Sequence, residues 1–209
     1  MAGAPTRARA EIFHPRTALG LDIRKLGMWT MLGSESLFFT ALIANFFVYR
    51  SSPVGEGLGP KDLNISLTGA GAFILLMSSL TMVLALAAIR EGDNKRFRAW
   101  IVGTALLGSV FLGIQAFEFS SFALEGKGMG TNMFGAAFFA LTGFHGTHVL
   151  LGVIWLFCLA AFNVGKHADR VAGTDGGAAM PVELCGLYWH FVDLVWVFIF
   201  TLVYLMPLG

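Results

Sequence analysis

Two histidines stand three residues apart in Gly143-Phe144-His145-Gly146-Thr147-His148, inside a run, Met133 to Val164, that holds no Asp, Glu, Lys or Arg. On a helix, positions i and i+3 share a face, so both imidazoles are expected to look the same way. Gln115/Glu118 and His190/Asp193 repeat the spacing in two further apolar runs, and Glu35 interrupts a fourth. Imidazole is the commonest metal ligand and titrates near neutral pH, so His145, His148, Glu35, His190 and Asp193 could make a metal shell or a proton-handling group. Di-iron bundles use Glu-x-x-His on two helices, and none of the apolar runs here carries that motif. A bis-histidine haem would take its axial ligands from opposing helices, whereas these two come from one face. No Gly-x-Ser-x-Gly elbow or phosphate loop points to nucleophilic or phosphoryl chemistry. Ordinary packing explains any one of these residues, since polar side chains hydrogen-bond across membrane helices for about 1 kcal/mol each. Stripes on several helices are less comfortably explained as packing alone.

The elements that must hold these residues follow from composition. Of 209 residues, 56% are hydrophobic and 13% charged, against about 25% charged in an ordinary soluble domain. The mean hydropathy of +0.72 describes a polytopic membrane protein. A net charge of +1 supports no nucleic-acid partner. Apolar runs of bilayer-spanning length occur at about 26–49, 65–89, 99–124, 133–164 and 182–205. The expected fold is therefore all-α, a five-helix transmembrane domain over 26–209 preceded by a polar segment, 1–25. That segment has no apolar core of its own, as a cleaved secretory signal would need, and is expected to stay cytoplasmic. Loop charge points the same way. With the N-terminus inside, only Arg50, Lys61 and Lys127 fall in outer segments, and the C-terminus lies outside. There is no internal repeat of the inverted-transporter kind.

Glu35 sits roughly 15 Å deep at 1.5 Å per residue. A carboxylate there needs a partner, and a fourth-helix histidine, His145 before His148, is the expected one. Cys158 and Cys185 lack a Cys-x-x-Cys neighbour and are read as free and buried on the reducing side. Ser109/Gly113 and Ala136/Ala140 are small-xxx-small pairs that would allow close helix approach. Trp29, Trp100 and Trp189 suit an interfacial aromatic belt.

Three segments in order carry a resemblance: Leu26-Gly27-Met28-Trp29 through Ser34-Glu35-Ser36-Leu37-Phe38-Phe39, then Leu141 to Val149 around the histidine pair, then Tyr188-Trp189-His190-Phe191-Val192-Asp193-Leu194-Val195-Trp196. The chain resembles subunit III of the haem-copper oxygen reductases, the cytochrome c oxidase family, in the short bacterial form that lacks the two leading helices. The resemblance implies a plasma-membrane subunit without its own catalytic, cofactor-binding or metal site. Haems and copper would belong to the large catalytic subunit I and to subunit II. This chain would pack on subunit I and support sustained proton uptake during oxygen reduction. Phospholipid is a further implied neighbour, although the helices missing here form one side of the family's lipid cleft. The family's buried carboxylate maps onto Glu35 and its histidine pair onto His145 and His148. His190 and Asp193 map onto the last-helix motif, and Glu118 joins them as a buried polar group. The motifs look closer to the cytochrome c branch than to the quinol branch. A nitric-oxide-reductase accessory subunit and, more distantly, a free-standing membrane haem protein are the alternatives.

Overall fold

Short polar residues mark where each apolar run becomes helical. In the computed structural model, which describes residues 22–50, 57–162 and 179–206, Asp22 accepts from the Arg24 N–H and starts α1, Ile23–Tyr49. Asn64 caps α2, Ile65–Arg90, by accepting from Leu67, and Asp93 caps α3, Asn94–Leu124, by accepting from Lys95 and Arg96. Asn132 accepts from Gly135 at the start of α4, Met133–Ala161. Such caps satisfy N–H groups that have no partner within the helix. The last helix, α5, spans Ala179–Ile199 and continues as a π-helical turn, Phe200–Leu205. Gly92 and Gly126, at φ 78° and 72°, end α2 and α3 in the left-handed region that favours glycine. Among the described residues there are five helices long and apolar enough to cross a membrane, and no β-strand.

The helices differ from the apolar runs at their ends. α3 begins at Asn94 rather than near 99 and α5 at Ala179 rather than 182, while α4 stops at Ala161. Hydropathy reports where charge ends, whereas backbone hydrogen bonding begins at the cap. Residues 1–21 of the polar N-terminal segment and most of the 166–180 loop lie outside the described residues.

α2 and α3 form an extensive pair, α4 packs on α3, and α5 contacts α1, α2 and α4. The fully buried Trp189 of α5 sets much of this arrangement. Its indole N–H donates to Ser78 Oγ of α2 at 2.9 Å, and its ring lies against Gly108 of α3 and Gly152 of α4. A β-carbon on either glycine would fall under 3.0 Å from that ring. Trp189 is thus a core residue, not part of an interfacial belt, because hydrophobic run length says nothing of which way a ring points. The close approaches centre on Gly108 and Gly152 rather than on Ser109/Gly113; nothing lies within 4 Å of a β-carbon at Gly113. Both cysteines are free, but Cys158 is exposed and only Cys185 is buried.

Ion pairs tie the ends. Glu183 of α5 meets Lys25 of α1 at 2.6 Å and Arg90 of α2 at 3.4 Å. At the opposite end, Lys127 bridges Asp62 and Glu125, each at 2.8 Å. Burial pushes the Asp62 carboxyl up, but the bonds from Lys127 and the Gly59 N–H outweigh it and hold Asp62 below its ordinary 3.8. A depressed carboxyl contributes stability above its unfolded value that is lost as pH falls through the folded one. The thermal midpoint of wild type should therefore exceed that of Asp62→Asn near neutral pH and converge on it only as pH falls through the lowered folded value, below 3.8. Gly152→Ala should lower the midpoint in detergent by an overpacking cost of about 1–3 kcal/mol. Gly33→Ala, with nothing within 4 Å, should leave it unchanged or slightly higher.

Candidate functional site

The polar residues singled out above all lie well inside helices, and the helices sort them into separate contacts. Glu35 of α1 meets His148 of α4, Oε2 to Nε2 at 3.2 Å. His148 Nδ1 lies 2.7 Å from the Phe144 carbonyl, which can only accept, so Nδ1 carries a proton. Nε2 and the carboxylate oxygen cannot bond as two acceptors, so one proton lies between them. It sits either on an imidazolium that faces a carboxylate or on a carboxylic acid that faces a neutral imidazole. Both forms are net neutral, which suits a site inside a span. Phe38 and Phe39 flank the His148 ring at 6.2 and 5.0 Å between centroids.

The partner of Glu35 is therefore His148 and not His145. Three residues turn a helix by about 300°, leaving the two histidines about 60° apart in direction. That offset turns His148 toward α1 and His145 into the bundle centre. There His145 is fully buried and stacks on Trp196 of α5, with centroids 4.9 Å apart and planes 23° apart. Phe39 and Phe111 meet its ring edge-on at 6.3 and 6.0 Å. Neither ring nitrogen has a hydrogen-bond partner among the described residues.

Gln115 and Glu118 are both buried on α3 and serve different neighbours. Gln115 Nε2 donates to the Thr142 carbonyl of α4 at 2.8 Å, and its other end lies against Gly146, whose missing side chain makes room for it. Glu118 accepts from Thr68 of α2 at 3.1 Å and from the Tyr204 hydroxyl at 3.2 Å. Tyr204 lies in the π turn, where the wider spacing shifts the direction of side chains relative to a regular helix. One carboxyl group thereby joins α2, α3 and the end of α5. His190 and Asp193 converge on Ser79 of α2. The Ser79 hydroxyl donates to Asp193 Oδ2 and lies 2.9 Å from His190 Nδ1.

Among the described residues, no three His, Cys, Asp or Glu side chains come together as a metal-ligand set. The set imagined from the sequence is divided among three contacts: Glu35 with His148, His145 with Trp196, and His190 with Asp193 and Ser79. Spacing alone does not single out Thr68, Ser78, Ser79 or Tyr204. The available signal was polar residues at matching depth on α2 and α5, which becomes specific only once those helices are known to touch.

The sequence pattern of the family described as Cytochrome c oxidase subunit III matches residues 14–207. The chain belongs to this family. It is 38% identical to the quinol oxidase subunit 3 of Bacillus spizizenii over 88% of this chain and 87% of the relative. It is 36% identical to the cytochrome c oxidase subunit 3 of Alkalihalophilus pseudofirmus over the full length of both, and 37% identical to that of Synechocystis over 97% of this chain and 81% of the relative. The chain is thus a subunit III of the haem-copper oxidase class, a multi-pass protein of the bacterial plasma membrane that associates with other oxidase subunits. Relatives named for quinol and for cytochrome c match almost equally, so identity to them does not separate the two donors.

Within this family member the Glu118 contact should behave as a bundle tie. Glu118→Ala leaves the Thr68 and Tyr204 hydroxyls without their acceptor and should cost about 1–3 kcal/mol, whereas Tyr204→Phe removes one bond and should cost about 1 kcal/mol. Thermal unfolding in detergent measures both.

Proposed function

We propose that this chain is the subunit III of a proton-translocating respiratory terminal oxidase in which haem and copper reside in other subunits. It packs on the large catalytic subunit and sustains proton uptake during oxygen reduction. The Glu35–His148 contact carries this reading, because it places a shared, exchangeable proton within the span while joining α1 to α4. Glu35 and His148 keep side-chain exposures of 28% and 16%, so the proton is held beside the protein surface and not sealed in the core. His145, enclosed by Trp196, Phe39 and Phe111, serves packing in this reading, and Glu118 and Asp193 brace α2 against α5. We orient the bundle with its N-terminus in the cytoplasm. The cluster of Lys25, Arg90 and Glu183 then lies at the inner face with the other basic residues of that end, as the positive-inside rule expects. The electron donor is cytochrome c in this reading, with quinol as the variant that the relatives also carry.

Purification of the tagged chain from native membranes in mild detergent should recover a large haem-bearing subunit; a lone chain, or partners without haem absorbance, overturns the proposal. Glu35→Gln can still donate to His148 but holds no exchangeable carboxyl proton. It should assemble normally and lose activity faster under continuous turnover, with initial rates near wild type. Glu35→Ala should weaken assembly as well. A turnover lifetime equal to wild type in the Gln variant would remove proton sharing from the mechanism and leave a structural tie.

A further inference from the structure

Adjacent serines of α2 serve adjacent residues of α5. Ser78 Oγ takes the indole N–H of Trp189 at 2.9 Å, and the register this sets brings Ser79 to His190 and Asp193. His190 and Asp193 are three residues apart on one face of α5, and the Ser79 hydroxyl bonds both, at Nδ1 and at Oδ2. Asp193 is buried, whereas His190 is exposed. One hydroxyl therefore links a carboxyl inside the bundle to an imidazole at its surface. Ser79 lies 11 residues before Arg90 and 14 after Ile65 in α2. At 1.5 Å per residue it is roughly 16 and 21 Å from the two helix ends. In a hydrocarbon layer about 30 Å thick, this is far from either headgroup region.

Charge decides what such a cluster must hold. Ser79 is the hydrogen-bond partner that Asp193 has among the described residues, and Asp193 Oδ1 is buried without one. Glu118, by comparison, accepts from two hydroxyls. Lys and Arg pair with acids at the helix ends, such as Glu183 and Asp62, and leave Asp193 without a cation among the described residues. An ionised carboxylate held by one hydrogen bond, opposite a neutral imidazole, is costly in hydrocarbon. One further proton in the cluster makes it net neutral, and the geometry accommodates that proton in two ways. In the first, the Asp193 carboxylate accepts from Ser79, and Ser79 accepts from Nδ1 of an imidazolium. In the second, Asp193 is a carboxylic acid that donates to Ser79, and Ser79 donates to a bare Nδ1 of an imidazole protonated on Nε2. The second becomes the first when the Asp193 Oδ2–H bond breaks as Ser79 Oγ takes that proton, and the original Oγ–H bond breaks as His190 Nδ1 takes the other. No other reactant is needed, and each proton crosses one hydrogen bond.

We propose that Asp193, Ser79 and His190 form a hydroxyl-bridged proton-sharing site, which holds one proton more than a carboxylate beside a neutral imidazole. Asp193 thus does more than brace α2 against α5. In the Glu35–His148 contact the carboxyl and the imidazole stand on different helices and meet directly. Here both stand on α5, and Ser79 of α2 is what connects them, so the sharing depends on the register of two helices. Ser79 is a positioning and bridging residue. The site is a property of α2 and α5 and is independent of which subunits the chain assembles with.

The test uses the full chain in lipid bilayers near neutral pH, labelled with nitrogen-15 in the histidine rings and carbon-13 in the aspartate carboxyls. Solid-state NMR then reads protonation directly, with His190→Gln and Asp193→Asn serving only to assign the signals. An imidazolium at His190 with an ionised Asp193, or an Nε2–H imidazole with a protonated Asp193, supports the proposal. A neutral His190 with an ionised Asp193 overturns it. The bridge is tested by Ser79→Ala, which should leave Asp193 protonated and His190 neutral and divided between its two tautomers, whereas Ser79→Thr should restore the wild-type signals. A merely structural serine would not move these signals, so Asp193 and His190 resonances in the Ala variant that match wild type would overturn the role of the hydroxyl.

Discussion

Inside hydrocarbon there is no water to complete a hydrogen bond, so a polar side chain on a span is costly unless another part of the protein satisfies it. In this bundle α5 meets much of that requirement. Tyr188 donates to the His148 carbonyl of α4, Trp189 to Ser78 of α2, and Tyr204 to Glu118 of α3, while Asp193 accepts from Ser79 of α2. These bonds reach three different helices, α2, α3 and α4, from several heights along α5, and together they fix its rotation and its depth. Apolar contact alone would do neither, since one Leu-rich face is as good as another against lipid. The two glycines beside Trp189 complete the arrangement by letting its indole reach α2 between α3 and α4.

The same constraint divides the histidines by role. His148 turns toward a carboxylate and shares a proton with it. His145, about one turn away, is enclosed by aromatic rings and meets Trp196 face to face. An imidazole in such a cage contributes shape and ring stacking, whereas one opposite a carboxylate contributes an exchangeable proton. In the function proposed above the chain supports redox chemistry performed by a neighbouring subunit, and its titratable groups are arranged around helix contacts.

A good part of this was legible in the order of residues. Five apolar runs, their approximate ends and the motif segments that carry the family resemblance are all properties of local sequence. Hydropathy depends on neighbours a few residues away, which is why these features survive without a fold. The site residues were legible as types: Glu35, His145, His148, Glu118, His190 and Asp193 stand out because charge and imidazole are costly in a span.

Only the tertiary structure decided who meets whom. A helical wheel places His145 and His148 on one face, but the 60° between them assigns one to Glu35 and the other to Trp196, and that depends on where α1 and α5 pack. Trp189 reads equally well as an interfacial anchor or a core residue until Gly108 and Gly152 are seen to make its slot. Ser79 and Tyr204 are unremarkable in sequence and become decisive because α2 and α5 cross at the right depth and because α5 ends in a π turn. Sequence by itself determined which side chains could not be left alone in the membrane. The fold chose their partners, because a hydrogen bond is a matter of ångströms between helices whose separation along the chain carries no record of their distance in space.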